Sequence, residues 1–195
     1  MIHGSAGAFT RDGEQTLSYD NFGELTLARQ GYVVVLPHYF AAVHRGSITS
    51  LGEMRELFPR LLDALSAVLN QASAYRSVDS RRIGIYGESL GGFLAAALAS
   101  RDSRVVAVSE FSGGLAEGQM SSASAPKALL IQHGEEDDLV AKNNADALRD
   151  YEVRRGAQVT MCLYPGQGHY FDQATRAKIL ERSVAFFHRA LKGSR

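Results

Sequence analysis

The chain has a single cysteine, Cys162, among its 195 residues. An internal disulfide is therefore excluded, and a reducing compartment such as the cytoplasm is expected. It also lacks an excess charge of either sign: 21 basic and 21 acidic residues cancel. That removes the electrostatic footprint of a protein that binds nucleic acid or an anionic membrane. No apolar run reaches the length of a membrane span, and the first residues do not pair a basic segment with an apolar one as a secretory leader does. Repeats, low-complexity tracts and linkers are missing too. What remains is a chain of 45% hydrophobic residues, long enough for one domain, 1–195, with a sizeable core.

The most informative stretch runs from Arg82 to Ala99. It reads as a short apolar strand, a glycine turn and an alanine-rich helix, with Ser89 at the apex of Gly87-Glu88-Ser89-Leu90-Gly91. A strand turning abruptly into a helix strains the apical residue and pushes its side chain into the open. Gly87 and Gly91 are expected where a Cβ would collide with neighbouring backbone. The helix start directs N–H groups and the positive end of its dipole beside the serine oxygen. The Leu90 N–H is thus a candidate oxyanion donor.

The rest of the chain alternates strands and helices. Helices are expected over Tyr19–Gln30, about Leu51–Tyr75, Leu90–Ser100, Asn143–Arg155 and about Asp172–Leu191. Strands are expected at Tyr32–Leu36, Arg82–Tyr86, Val105–Phe111, Lys127–Gln132 and Gln158–Tyr164. Pro59 either kinks the second helix or marks the start of its second half. Continuous β-branched runs such as Val33-Val34-Val35 indicate strands buried on both faces, hence a mostly parallel sheet with helices on both sides. Ligands bind such sheets beyond the carboxyl ends of the strands, where the notable loops fall.

A serine hydroxyl needs a base to remove its proton, and the base needs an acid to fix its tautomer. Ser89, Asp137 and His169 each follow a strand, in the order Ser, Asp, His. His169 lies in a glycine-rich loop that can reach inward. His3 and His133 precede glycines at strand ends and are expected to orient loops. His38 and Tyr39 close a strand and are candidate substrate-binding residues, while His44 and His188 read as surface. Asp137 stands in the acidic run Glu135-Glu136-Asp137-Asp138. Consecutive residues on an extended loop point in different directions, so the run reads as solvated charge and no metal site is expected. Glu88 is either a tolerated neighbour of the nucleophile or a local charge on it, and Cys162 reads as a packed core residue. The small residues after His3-Gly4 would let backbone approach a ligand, making the N–H of Ser5 or Ala6 the second oxyanion donor.

Together these motifs resemble the dienelactone hydrolase-like branch of the α/β-hydrolases. The resemblance rests on His3-Gly4-Ser5-Ala6-Gly7, Gly31 to Pro37, Gly87 to Gly92, His133-Gly134-x-x-Asp137-x-x-Val140 and Tyr164 to His169. It implies Ser89 as nucleophile, Asp137, rather than Asp138, as acid and His169 as base, with no cofactor. It also implies the α/β-hydrolase fold, here without a cap domain and with its N-terminal strands missing or shortened. Dienelactone hydrolases proper carry a cysteine at the apex; Ser89 shifts the expectation to a serine carboxylesterase acting on small, short-chain esters. A peptidase, amidase or lactone hydrolase of the same fold is the nearest alternative, and a non-catalytic binding protein a more distant one. A strand shortened to Met1-Ile2-His3 would leave backbone groups unpaired at about 1–3 kcal/mol each. A second copy completing the sheet, as a homodimer, is one expected remedy.

Overall fold

β-Branched and aliphatic runs bury both faces of a four-stranded, all-parallel sheet in the computed structural model, which describes residues 1–8 and 23–193. The strands are β1 (Ile83–Glu88), β2 (Val105–Phe111), β3 (Ala128–Gly134) and β4 (Gln158–Tyr164), adjacent in chain order. The helices are α1 (Glu24–Arg29), α2 (Leu51–Ser73), α3 (Leu90–Ala99), α4 (Asn143–Arg154) and α5 (Gln173–Phe187), the last followed by a π-helical turn, His188–Lys192. Side chains alternate across a strand. In β3, Leu129 and Ile131 therefore enter the core shared with α2, α3 and α4, while Leu130 enters the one shared with α1 and α5. All three are at most 3% exposed, as a sheet covered on both sides requires. On the α5 face Gln132 bridges the layers: it accepts from the Tyr164 hydroxyl at 2.7 Å and donates to the Ile179 carbonyl and the Ser183 hydroxyl.

Two stretches depart from expectation, Tyr32–Leu36 and Tyr39–Val43. The part of the first expected helix at residues 19–22 lies outside the described residues. The strand expected at Tyr32–Leu36 forms no ladder among the described residues. A strand needs a neighbour, and among the described residues Met1 and Ile2 stand between this segment and β1. Ile2 makes a single parallel bridge to Gly87, and the Met1 ammonium donates to the Val35 carbonyl at 2.6 Å. The apolar pattern thus reports partial burial, not ladder pairing, and Val33 remains 53% exposed. Next comes a 3₁₀ turn, Tyr39–Val43, where only a strand end and a loop were expected. Helix α2 starts at Leu51, where the Ser50 hydroxyl accepts from the Glu53 N–H, and runs through Pro59. Pro59 lies on the exposed face, so water can serve the carbonyl left without a donor.

Candidate active site

At the carboxyl end of β1 the backbone turns through Ser89, which holds φ 52° and ψ −118°. Such a conformation is costly for a residue with a Cβ. Close backbone packing enforces it. A Cβ on Gly87 would lie 2.4 Å from the Gly91 carbonyl oxygen, and one on Gly91 would lie 2.1 Å from that of Ile2. The Ser89 N–H donates to the Phe111 carbonyl at the end of β2, which fixes the apex from the other side. Helix α3 begins directly at Leu90, whose N–H has no backbone acceptor among the described residues.

The other two residues arrive from adjacent strands. β3 and β4 run in parallel register up to Gly134 and Tyr164, so the loops that follow lie side by side. Gly134 allows their contact: a Cβ there would stand 2.3 Å from the Gln167 carbonyl oxygen. Glu136 N–H donates to that oxygen, joining the loop of Asp137 to the loop of His169. His169 Nδ1 then lies 2.8 Å from Asp137 Oδ2, and its Nε2 lies 3.0 Å from Ser89 Oγ. With the hydrogen on Nδ1 donated to the carboxylate, Nε2 is left to accept from the serine hydroxyl. Within the acidic run only Asp137 is buried; Glu135, Glu136 and Asp138 are exposed. Geometry thus separates Asp137 from its neighbours.

Asp137 is itself held. Its Oδ1 accepts from the N–H groups of Leu139 and Val140 at 3.0 and 2.8 Å. The buried His133 donates from Nε2 to the Val140 carbonyl at 2.8 Å and lies 3.4 Å from Asp137 Oδ2. Burial lowers its pKa against the opposing pull of the Val140 carbonyl and Asp137, which favours the neutral ring. Ser112, another residue at positive φ, donates its hydroxyl to the His169 carbonyl at 3.2 Å. Nothing in the sequence singled it out; its serine lies in a stretch that reads as plain loop. Tyr170, 78% exposed, sets its ring edge-on to His169, and Leu139 is exposed beside Asp137. These two place apolar surface at the rim.

The loop after Ile2 reaches Ser89: a Cβ on Gly4 would lie 3.4 Å from both Ser89 Cβ and the Glu88 carbonyl oxygen. The N–H groups of Ser5 and Ala6 have no backbone acceptor among the described residues. Tyr39 is placed differently from the expectation. It is 2% exposed and its hydroxyl donates to the His3 carbonyl, so it stands behind this loop and not in the open. His38 is half-buried at the head of the 3₁₀ turn, near enough to His3 to oppose its protonation. Glu88 is largely enclosed: burial raises its pKa, and Arg176 at 3.6 Å and His169 pull it down. Cys162 is half-buried on β4. A cavity of about 270 Å³ is lined by Ile2, Val33, Leu69, Ile83 and Phe187 beside β1 and by none of Ser89, Asp137 or His169. It lies away from the assembled polar groups of Ser89, Asp137 and His169.

A parallel sheet with a strained serine elbow, and an acid and a histidine on the following strand ends, has the organisation of an α/β-hydrolase. The sequence profile of the Dienelactone hydrolase family matches residues 19–189, and the chain belongs to that family. Among solved structures it is similar to the dienelactone hydrolase-like promiscuous phosphotriesterase P91 from metagenomic libraries, with TM-score 0.72 and 17% identity over 97% of this chain and 84% of that one. It is also similar to esterase PE8 (TM-score 0.63, 17% identity, 97% and 90% covered). Arabidopsis thaliana SOBER1 is a further neighbour (TM-score 0.56, 21% identity, 75% and 68% covered). No curated protein matches the chain. No helix among the described residues is long and apolar enough to cross a membrane.

Proposed function

We propose that this member of a hydrolase family is a serine carboxylesterase for small esters. The observation that carries the reading is the unbroken line from Asp137 through His169 to Ser89, at 2.8 and 3.0 Å. Ser89 Oγ attacks the ester carbonyl carbon as its proton passes to His169 Nε2. Asp137 stabilises the resulting imidazolium. The negative oxygen is held by the N–H of Leu90 and by that of Ser5 or Ala6. Collapse breaks the bond to the alcohol oxygen, which takes the proton from His169 and departs. Water then attacks the acyl-serine, gives its proton to Nε2, and the acid leaves as the proton returns to Ser89 Oγ. The rim offered by Tyr170 and Leu139 is open, which favours short acyl groups. The single cysteine supports a reducing compartment such as the cytoplasm.

Hydrolysis of nitrophenyl esters of increasing acyl length tests this, with Ser89→Ala as control. Turnover should fall with chain length and vanish in the variant. No turnover, together with no labelling of Ser89 by a fluorophosphonate, would sink the reading and favour a binding protein. Labelling without ester turnover would point to an amide or lactone substrate.

A further inference from the structure

We infer that Tyr39 is the positioning residue of the oxyanion hole, acting through the carbonyl of His3; this rests on the hydrolase reading above. In a trans peptide the C=O of one residue and the N–H of the next point in opposite directions. Three successive carbonyls in the loop beside Ser89 are taken. That of His3 accepts from the Tyr39 hydroxyl at 2.7 Å. That of Gly4 accepts from the Gly7 N–H at 3.1 Å and lies 2.9 Å from His3 Nδ1. That of Ser5 accepts from the Ile48 N–H at 2.9 Å. Each bond fixes one peptide plane, so the N–H groups of Gly4, Ser5 and Ala6 all face away from these anchors. None of the three has a backbone acceptor among the described residues. N–H groups not spent on the loop's own backbone can bind an anion, and Gly4 sets this loop against Ser89.

Among the described residues, Tyr39 is the only side chain from outside the loop that anchors one of these carbonyls. It is held firmly. Its ring stacks on the His3 imidazole with centroids 4.4 Å apart and meets Phe40 edge-on at 4.7 Å. The whole group is buried, which favours the protonated phenol that this bond needs. The His3 carbonyl also abuts Gly91, since a Cβ there would fall 2.7 Å from its oxygen. Without the hydroxyl this carbonyl would lose the bond that ties the His3–Gly4 peptide plane to Tyr39.

Tyr39→Phe removes the hydroxyl and keeps the ring. Losing an oxyanion donor outright costs about 10²–10³ in kcat. Misaligning the loop should cost less, about 10- to 100-fold in kcat, with KM nearly unchanged. The fluorophosphonate labelling rate, in which the Ser89–phosphorus bond forms as fluoride leaves and negative charge builds on the phosphoryl oxygen, should fall in parallel with kcat. A purely structural role would lower the melting temperature without shifting kcat against KM. If the wild type turns over esters and is labelled, yet Tyr39→Phe matches it in both rates, the inference is wrong while the esterase reading stands. If the wild type does neither, the esterase reading fails first. Should Tyr39→Phe fail to fold, the amide N–H signals of Gly4, Ser5 and Ala6 in the wild type, followed by NMR, must shift when the fluorophosphonate labels Ser89, or the anchoring scheme is refuted.

Discussion

Glu110 is a carboxyl group buried under the start of α3, opposite Gly87 in the β1–β2 register. Its Oε2 accepts from the Gly113 N–H at 2.8 Å, and its Oε1 has no partner among the described residues. Burial pushes its pKa from 4.5 up to about 8, against a smaller opposing pull from the Gly113 N–H. The positive end of the α3 dipole also acts in the opposing direction, but at about 0.3–2 kcal/mol it is too weak to reverse the effect of burial. Between pH 4.5 and 8 the folded chain therefore binds one more proton here than the unfolded chain. The sign follows: this contribution is whole at low pH and is lost as pH rises, at about 1.4 kcal/mol per pH unit. From pH 5 to pH 8 the loss is about 3–4 kcal/mol. Glu110→Gln cannot ionise and abolishes this slope. Its amide N–H groups lack an acceptor, which adds a constant penalty of about 1–3 kcal/mol at every pH. The assay is urea unfolding of both proteins at pH 5, 6.5 and 8, read as their difference. His3, whose pKa burial lowers to about 4, works in the opposite direction, but it cancels in that difference. The variant should be equal or weaker at pH 5 and more stable by several kcal/mol at pH 8 relative to that starting point. A difference that does not change with pH would refute the buried neutral acid.

Two further outcomes follow from the backbone of the site. Ser89→Gly should be about 1 kcal/mol more stable than Ser89→Ala, because glycine relieves the strain at φ 52° and alanine does not; thermal melts compare them, and equal stabilities would mean that the elbow stores no strain. Gly134→Ala puts a Cβ 2.3 Å from the Gln167 carbonyl and should cost about 2–3 kcal/mol while separating Asp137 from His169; ester turnover should fall at least tenfold, and retention of full rate would show that the two loops need not touch.

Which features were legible in the sequence depends on how far apart their causes lie along the chain. The elbow is a local object: strand, Gly87, Ser89, Gly91 and helix sit in a row, so their order alone implies the geometry. Asp137 and His169 were found because each closely follows a recognisable strand, and a parallel sheet must bring consecutive strand ends together. Tyr32–Leu36 misled for the opposite reason. Its apolar run reports partial burial, but ladder pairing depends on a neighbour that the pattern does not mention. Tyr39 lies 36 residues from the carbonyl it holds, and no periodicity links a phenol to a distant backbone oxygen. Glu110 is the clearest case. In Val105-Val106-Ala107-Val108-Ser109-Glu110-Phe111 a charged residue near a strand end reads as one reaching water. Only the register against Gly87, with Gly92 and Gly113 closing over the carboxyl, turns it into a buried acid. Gly92, far from it in sequence, and Gly113, three residues on, remove the space that solvent would have used, and so decide its protonation state.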